Sequence, residues 1–237
     1  MSQIKIELMR TYLQIMLFSF LSAYVMAQAE VINLNAFDRL DVATSVDVTL
    51  YEGSPKAELN IVRGEREDFV IKNDGGNLLI KFKSKKWGWS SGNRHAKVKL
   101  WVEDLRGIEA SAGASVDGDI VLKADKFEAE ASSGASLSLG LDVSRLVLEV
   151  SSGASAALDG QADRMTLEAS SGASVKAKRL KTKNTNVEVS SGASAKIWCT
   201  SELSAEASSG GSVSYKGDPT DTDIDVGKYS GGSVRKI

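Results

Sequence analysis

The chain has 237 residues, 42% of them hydrophobic, two prolines and a formal net charge of −2 at pH 7. That is enough for one or two folded domains, and it is not the composition of a disordered tail. The near-neutral balance, with no basic motif interleaved with aromatics through the body, argues against nucleic acid as a partner. The lone cysteine, Cys199, excludes an internal disulfide, and the lone histidine, His95, limits any Ser-His pair to one.

The first 29 residues read as a secretory signal peptide. Lys5 and Arg10 precede an apolar run from Tyr12 to Val25, and Ala27-Gln28-Ala29 comes next as a cleavage site that leaves Glu30 as the mature N-terminus. Glu7 is unusual in the positive region, and starts at Met1 and Met9 both fit. The run, roughly 15 apolar residues, is shorter than a bilayer span, so membrane contact is expected only through the uncleaved signal segment. Export to the periplasm, the outer surface or the extracellular space is the consequence. No cysteine at the cleavage site offers a lipid attachment point, and Cys199 is expected to be buried as a small hydrophobe.

Residues 30–106 read as an irregular β region that caps or flanks the repeats beginning at 107. Phe37 to Val42 and Ser45 to Tyr51 alternate, with Leu40, Val42, Val46, Val48 and Leu50 inward. Further strands are predicted at 57–62, 69–73, 77–83 and 96–102, with a hairpin turn at Asp74-Gly75-Gly76-Asn77. The segment 83–97 gathers Lys83, Lys85, Lys86, Arg94 and Lys97 around Trp87 and Trp89. Tryptophans beside cations can stack on sugars or grip an anionic surface, which makes Trp87, Trp89, Lys85, Lys86 and Arg94 candidate ligand contacts. The competing reading folds both indoles back onto the sheet.

From 107 to 237 one phrase recurs: SAGAS at 111, SSGAS at 132, 151, 170 and 190, SSGGS at 208 and SGGSV at 230. The shared glycines, Gly113, Gly134, Gly153, Gly172, Gly192, Gly210 and Gly231, stand 18 to 21 residues apart, the mark of a unit stacked on copies of itself. Apolar residues flank each glycine at every second position, for example Leu148 and Val150 before Gly153 and Ala156 and Leu158 after it. A period of two is a half-buried strand. Each unit therefore reads as strand, tight Ser-Ser-Gly corner, strand, then a more variable corner. Glycine suits the tight corner because it adopts positive φ. Two packings bury such a face, a parallel β-helix and a meander of hairpins. The near-homogeneous columns favour the parallel β-helix, a β-solenoid of about 20-residue coils, because only coils align like with like at the ~4.8 Å strand spacing. The fold class is all-β.

On the outer face, Glu109, Glu130, Glu149, Glu168, Glu188 and Glu206 each stand four residues before a glycine. Stacked, they form a carboxylate ladder, read either as a solvated face that discourages aggregation or as a strip for cations or a basic partner. The recurring serines, Ser115, Ser136, Ser155, Ser174, Ser194, Ser212 and Ser233, are expected to form a hydroxyl ladder that satisfies backbone groups at the corner and not to act as nucleophiles, since no G-x-S-x-G elbow occurs. Asp221, Asp223 and Asp225 place three carboxylates on one strand face. They are weak metal candidates, because Val226 stands where a calcium loop needs glycine. No cofactor is expected.

The stretch FDRLDVATSVDVTL at 37–50, the inner hairpin, the reiterated SGAS strands and the closing Tyr215, Gly217 and Pro219 resemble the DUF2807 family, described as an auto-transporter adhesin head GIN domain. The resemblance spans roughly 37–233 and implies an exported β-helical protein, of the kind common in Bacteroidetes-type bacteria, with no catalytic residues to carry over. The expected function is a non-catalytic cell-envelope or surface protein that binds a surface glycan, an envelope polymer or another protein. The alternative is a polysaccharide-cleaving β-helix enzyme, which needs a local acid cluster that breaks the repeat.

Overall fold

The computed structural model describes residues 29–83, 94–227 and 230–237. The segment expected as a signal peptide, apart from Ala29, and Lys85, Lys86, Trp87 and Trp89 lie outside the described residues. Contacts divide the chain at Glu30, and residues 31–237 form one body.

That body is a β-solenoid of about 7 turns with ~19-residue coils. Its repeats are the strands β9 (Ser115–Ala131), β10 (Ser136–Val150), β11 (Ser155–Ala169), β12 (Ser174–Val189) and β13 (Ser194–Ala207), each bent round one coil, with β8 (Gly107–Ser111) before them and β14 (Ser212–Lys216), β15 (Asp221–Val226) and β16 (Ser233–Lys236) after. Every neighbouring pair among β8 to β16 is parallel, and the rows flanking the tight corner stay in register: Leu148 lies between Ala129 and Leu167, and Val150 between Ala131 and Ala169. The antiparallel meander is thereby excluded for the repeats. Inward residues are almost wholly buried, and volumes compensate along a coil: where the sequence shrinks to Ala129 and Ala131, position 127 is a fully buried Phe.

The tight corner is more constrained than glycine alone indicates. Serine and glycine both take positive φ, as at Ser152 (52°) and Gly153 (72°), and closely similar values recur at 133–134, 171–172, 191–192 and 209–210. This is a type I′-like turn, closed by a bond such as Ala154 N to Ser151 O at 3.0 Å. Each glycine amide then donates to the next coil's serine carbonyl, Gly153 N to Ser171 O at 3.0 Å. Backbone thus satisfies backbone at this corner. The serine hydroxyls form the expected ladder where Ser155 bonds to Ser136 at 3.3 Å and Ser233 to Ser212 at 3.2 Å, but the corner's backbone groups are satisfied by backbone, which corrects that part of the role expected for them.

The N-terminal segments enter the same stack out of chain order. The strands are β1 (Glu30–Asn33), β2 (Arg39–Ala43), β3 (Val46–Glu52), β4 (Lys56–Arg63), β5 (Phe69–Asp74), β6 (Asn77–Phe82) and β7 (His95–Val102), with a 3₁₀ turn at Arg66–Asp68. The arch of β2 and β3 stacks parallel on β8 and β9. On its other side β6 lies parallel to β2, and β7 to β3. The pairing then reverses: β5 lies antiparallel on β6 through the Gly75-Gly76 turn, β4 lies antiparallel on β7, and β1 pairs with β4. This end of the stack is therefore closed by an antiparallel rung. Asn73 Nδ2 reinforces it by donating to the carbonyls of Asn35 and Ala36 at 3.0 Å each.

Beyond the tight corner β11 bends again at Gly160, which lies between Leu141 and Leu180 and approaches the neighbouring backbone closely. A Cβ on Gly160, whose φ is 106°, would stand 2.0 Å from Leu141 O, whereas a Cβ on Gly153 meets nothing within 4 Å. Gly160→Ala is expected to cost about 3 kcal/mol and Gly153→Ala about 1 kcal/mol. Urea unfolding midpoints measure both, and equal losses would contradict the packing described.

Candidate functional site

The glutamates stack as one ladder, and the ladder is longer than the repeats. Glu109 pairs with Glu130, Glu130 with Glu149, and so on through Glu168 and Glu188 to Glu206. Asp41 continues the row at one end beside Glu109, and Asp225 at the other beside Glu206. Sequence spacing missed both ends, because Asp41 lies outside the repeat and Asp225 stands six residues before its glycine and not four. Among the described residues none of the six glutamates is in a salt bridge. Like charges one strand spacing apart repel by about 1 kcal/mol even at the dielectric of water. Burial, then Asp41, then Glu130 push the Glu109 carboxyl above its ordinary range. Burial also raises Asp41, with Lys81 opposing. Glu128, in the neighbouring column, is held low by hydrogen bonds from Lys126 and Arg39.

No group of three His, Cys, Asp or Glu among the described residues converges to hold a metal ion. Asp221, Asp223 and Asp225 lie along β15, each over a different residue of β13 (Glu202, Ser204 and Glu206), and all three are exposed. Alternate positions on an extended strand stand ~6.6 Å apart, too far to share one ion. Of the tryptophan segment's candidates the structure describes Arg94, whose Nη1 donates to Lys83 O at 2.6 Å while its guanidinium lies 5.3 Å from the Phe82 ring centroid. Cys199 is fully buried, its thiol directed at the carbonyls of Lys183 (3.2 Å) and Glu202 (3.0 Å).

One concavity among the described residues lies on neither the ladder nor the tight corner. A groove of about 870 Å³ runs along the variable corner across successive coils, lined by 104–106, 123–126, 142–144, 161–163 and 181–183. The burial alternation breaks here, with two successive outward residues such as Ser144 and Arg145 turning the chain. One row along it reads Lys123, Asp142, Gln161, Lys181, and continues to Trp198 and Lys216. Gln161 donates to Asp142 at 2.7 Å, and Lys183 pairs with Asp163 at 2.7 Å. Trp198 is half-buried, with Lys216 Nζ 3.9 Å and Lys181 Nζ 5.8 Å from its ring. A second aromatic site stacks Tyr51 on Trp101 at 5.2 Å, with Lys56 Nζ 4.1 Å above the indole. Sequence pattern does not flag either tryptophan, because each sits singly in a strand. It does not flag the groove, because the lining residues differ from coil to coil and no column advertises them.

The chain's residues 36–219 match the family model DUF2807, "Putative auto-transporter adhesin, head GIN domain". The chain belongs to this family. No curated protein matches it. Among solved structures it is similar to "a putative adhesin" from Bacteroides fragilis, at 18% identity and TM-score 0.76 over 88% of this chain and 96% of that one. An adhesin-described structure from Parabacteroides merdae aligns at 19% identity and TM-score 0.70, covering 88% and 95%. A "putative lipid binding protein" from Parabacteroides distasonis aligns at 17% identity and TM-score 0.66, covering 89% and 96%. At these identities the likeness establishes a shared solenoid fold. No helix among the described residues is long and apolar enough to cross a membrane.

The ladder has a pH signature. A carboxyl whose folded pKa is raised costs stability when charged, so the cost is absent below the unfolded value, near 4.5 for Glu109, and grows as pH rises through the folded pKa. Glu109→Gln is therefore expected to raise the melting temperature at pH 7 and low salt, with the gain vanishing below pH 4.5 and shrinking in high salt. A substitution that destabilises at pH 7 would show that the ladder is not under repulsion.

Proposed function

We propose that the protein is exported and works at the cell surface as a non-catalytic, adhesin-like module that holds an extended polar ligand, a surface glycan or envelope polymer, along the variable-corner groove. The observation that carries this reading is the contrast between rows. Inward and tight-corner positions repeat nearly the same residue in every coil, whereas the groove rows change from Lys to Asp to Gln to Lys across consecutive coils. A constant scaffold bearing a varied polar edge is how solenoids present extended binding surfaces. Amide, carboxylate and ammonium groups at strand spacing suit a polyhydroxylated chain, and the volume is within the range of ligand sites. Family membership supports the adhesin class, and the apolar run with its Ala27-Gln28-Ala29 site supports export.

Catalysis fits less well. The carboxyls raised above their ordinary range, Asp41 and Glu109, lie on the ladder beside a concavity of about 340 Å³ and not in the groove, where Asp142 and Asp163 are engaged by Gln161 and Lys183. In this reading the ladder is a strip of negative potential where cations or a basic partner collect diffusely, and Trp87 and Trp89, with Lys85, Lys86 and Arg94, form a second contact.

Glycan and polymer arrays followed by titration calorimetry test this. Gln161→Ala with Lys181→Ala is expected to weaken binding at least ~10-fold, the loss of one or two charge-assisted hydrogen bonds, while Glu168→Gln on the ladder leaves it unchanged. Trp87→Ala with Trp89→Ala is expected to weaken it further, and undiminished affinity would remove that segment from the site. Binding untouched by the groove pair would sink the groove. Polysaccharide turnover abolished by Asp41→Asn or Glu109→Gln would overturn the non-catalytic reading.

A further inference from the structure

The two ends of the solenoid are finished differently. At the β4/β5 end the rung reverses direction and its inward residues are covered, with Ala57 0% and Leu59 2% exposed. At the other end β15 and β16 are a last parallel rung with nothing beyond it among the described residues. Its inward positions continue the core rows: Ile224 stacks on Ala205, and Val226 on Ala207. Ala205 and Ala207 are 2% and 0% exposed, whereas Ile224 and Val226 are 42% and 38% exposed. The residues thus become larger and more apolar where the stack stops. The rung also presents unpaired backbone amides and carbonyls, a template for another strand.

We infer that this open end pairs with the same end of a second copy, giving a closed tail-to-tail dimer. The arrangement is isologous because inward apolar residues are exposed at this end and covered at the other, Phe69 included at 4%, so like end meets like end, two copies satisfy each other and no filament propagates. Charge selects the orientation. Setting β15 against the partner's β15 would oppose Asp221, Asp223 and Asp225 to the same three carboxylates. A two-fold axis running through the corner, between the two legs, instead lays β15 antiparallel on the partner's β16. Asp225 occupies the row of Glu206, four before Gly210, and Arg235 the row of Ser214, four after it. The corner axis therefore brings Asp225 of each copy to the level of Arg235 of the other, joining opposite charges at both symmetry-related places. Ile224, Val226 and Val234 of the two copies then close one continuous core.

Light scattering behind size exclusion, run on the whole chain over a range of concentrations, tests this against the 25.3 kDa monomer mass. A dimer is expected that dissociates on dilution. Ile224→Lys with Val226→Lys, at positions exposed in the single copy, is expected to leave the circular dichroism and melting of the monomer intact and to abolish the dimer. Asp225→Arg alone is expected to weaken the dimer at least ~10-fold, and Asp225→Arg with Arg235→Asp to restore it, which fixes the orientation as well as the surface. A monomer at every concentration, larger species in place of a dimer, or a dimer indifferent to the two lysines would overturn the inference.

Discussion

Everything in this molecule depends on parallel, in-register stacking of one coil on the next. Register alone makes columns out of a repeat: the same alignment that sets Leu148 over Leu167 sets Glu149 over Glu168, and the next pair of coils sets Ser155 over Ser174. Inside, the result is favourable, because like-sized apolar side chains share a row and backbone groups are bonded from coil to coil. Outside, the same rule imposes a cost, because identical charges are forced together at strand spacing. The fold keeps the carboxylate ladder because inward packing dictates register and a slip by one residue would turn every side chain over.

The tight corner enforces that register. Two successive residues with positive φ, one of them serine, are tolerated in coil after coil, and each glycine amide is spent on the next coil's serine carbonyl. A turn that bonds to the turn above it fixes the vertical alignment at one edge of every coil. The opposite edge is free to vary, and register shifts fall on the way to it, between Ala157 and Asp159 and between Lys176 and Lys181, and at it, between Thr182 and Asn184. The division of labour between a fixed edge and a variable one puts the groove where it is.

Periodicity makes much of this legible before any coordinates. The glycine spacing, the period of two and the homogeneous columns specify a parallel stack, and the six glutamates fall into the predicted row. What periodicity cannot show is whatever departs from it. Asp41 and Asp225 join the ladder from irregular segments, and β6 and β7 stack on the far side of β2 and β3 although they come later in the chain. Nothing local in a strand records which side of another strand it will occupy. Trp198 and the groove escape for the same reason: residues that vary between repeats carry no column signal, yet variation over a fixed scaffold is what a binding surface requires. Assigning the serine hydroxyls to the corner backbone rests on what serine does in isolated turns. In a stack the backbone of the next coil takes that place.

Spin labels on the outer face test the stacking most directly. With Cys199 replaced by serine, one label stays at Glu109→Cys and the other is placed in turn at Glu168→Cys, Glu188→Cys and Glu206→Cys. Parallel in-register coils predict separations growing in equal steps, roughly 14, 19 and 24 Å for three, four and five strand spacings. Separations that fail to grow step by step, or that alternate between short and long, would contradict the stack.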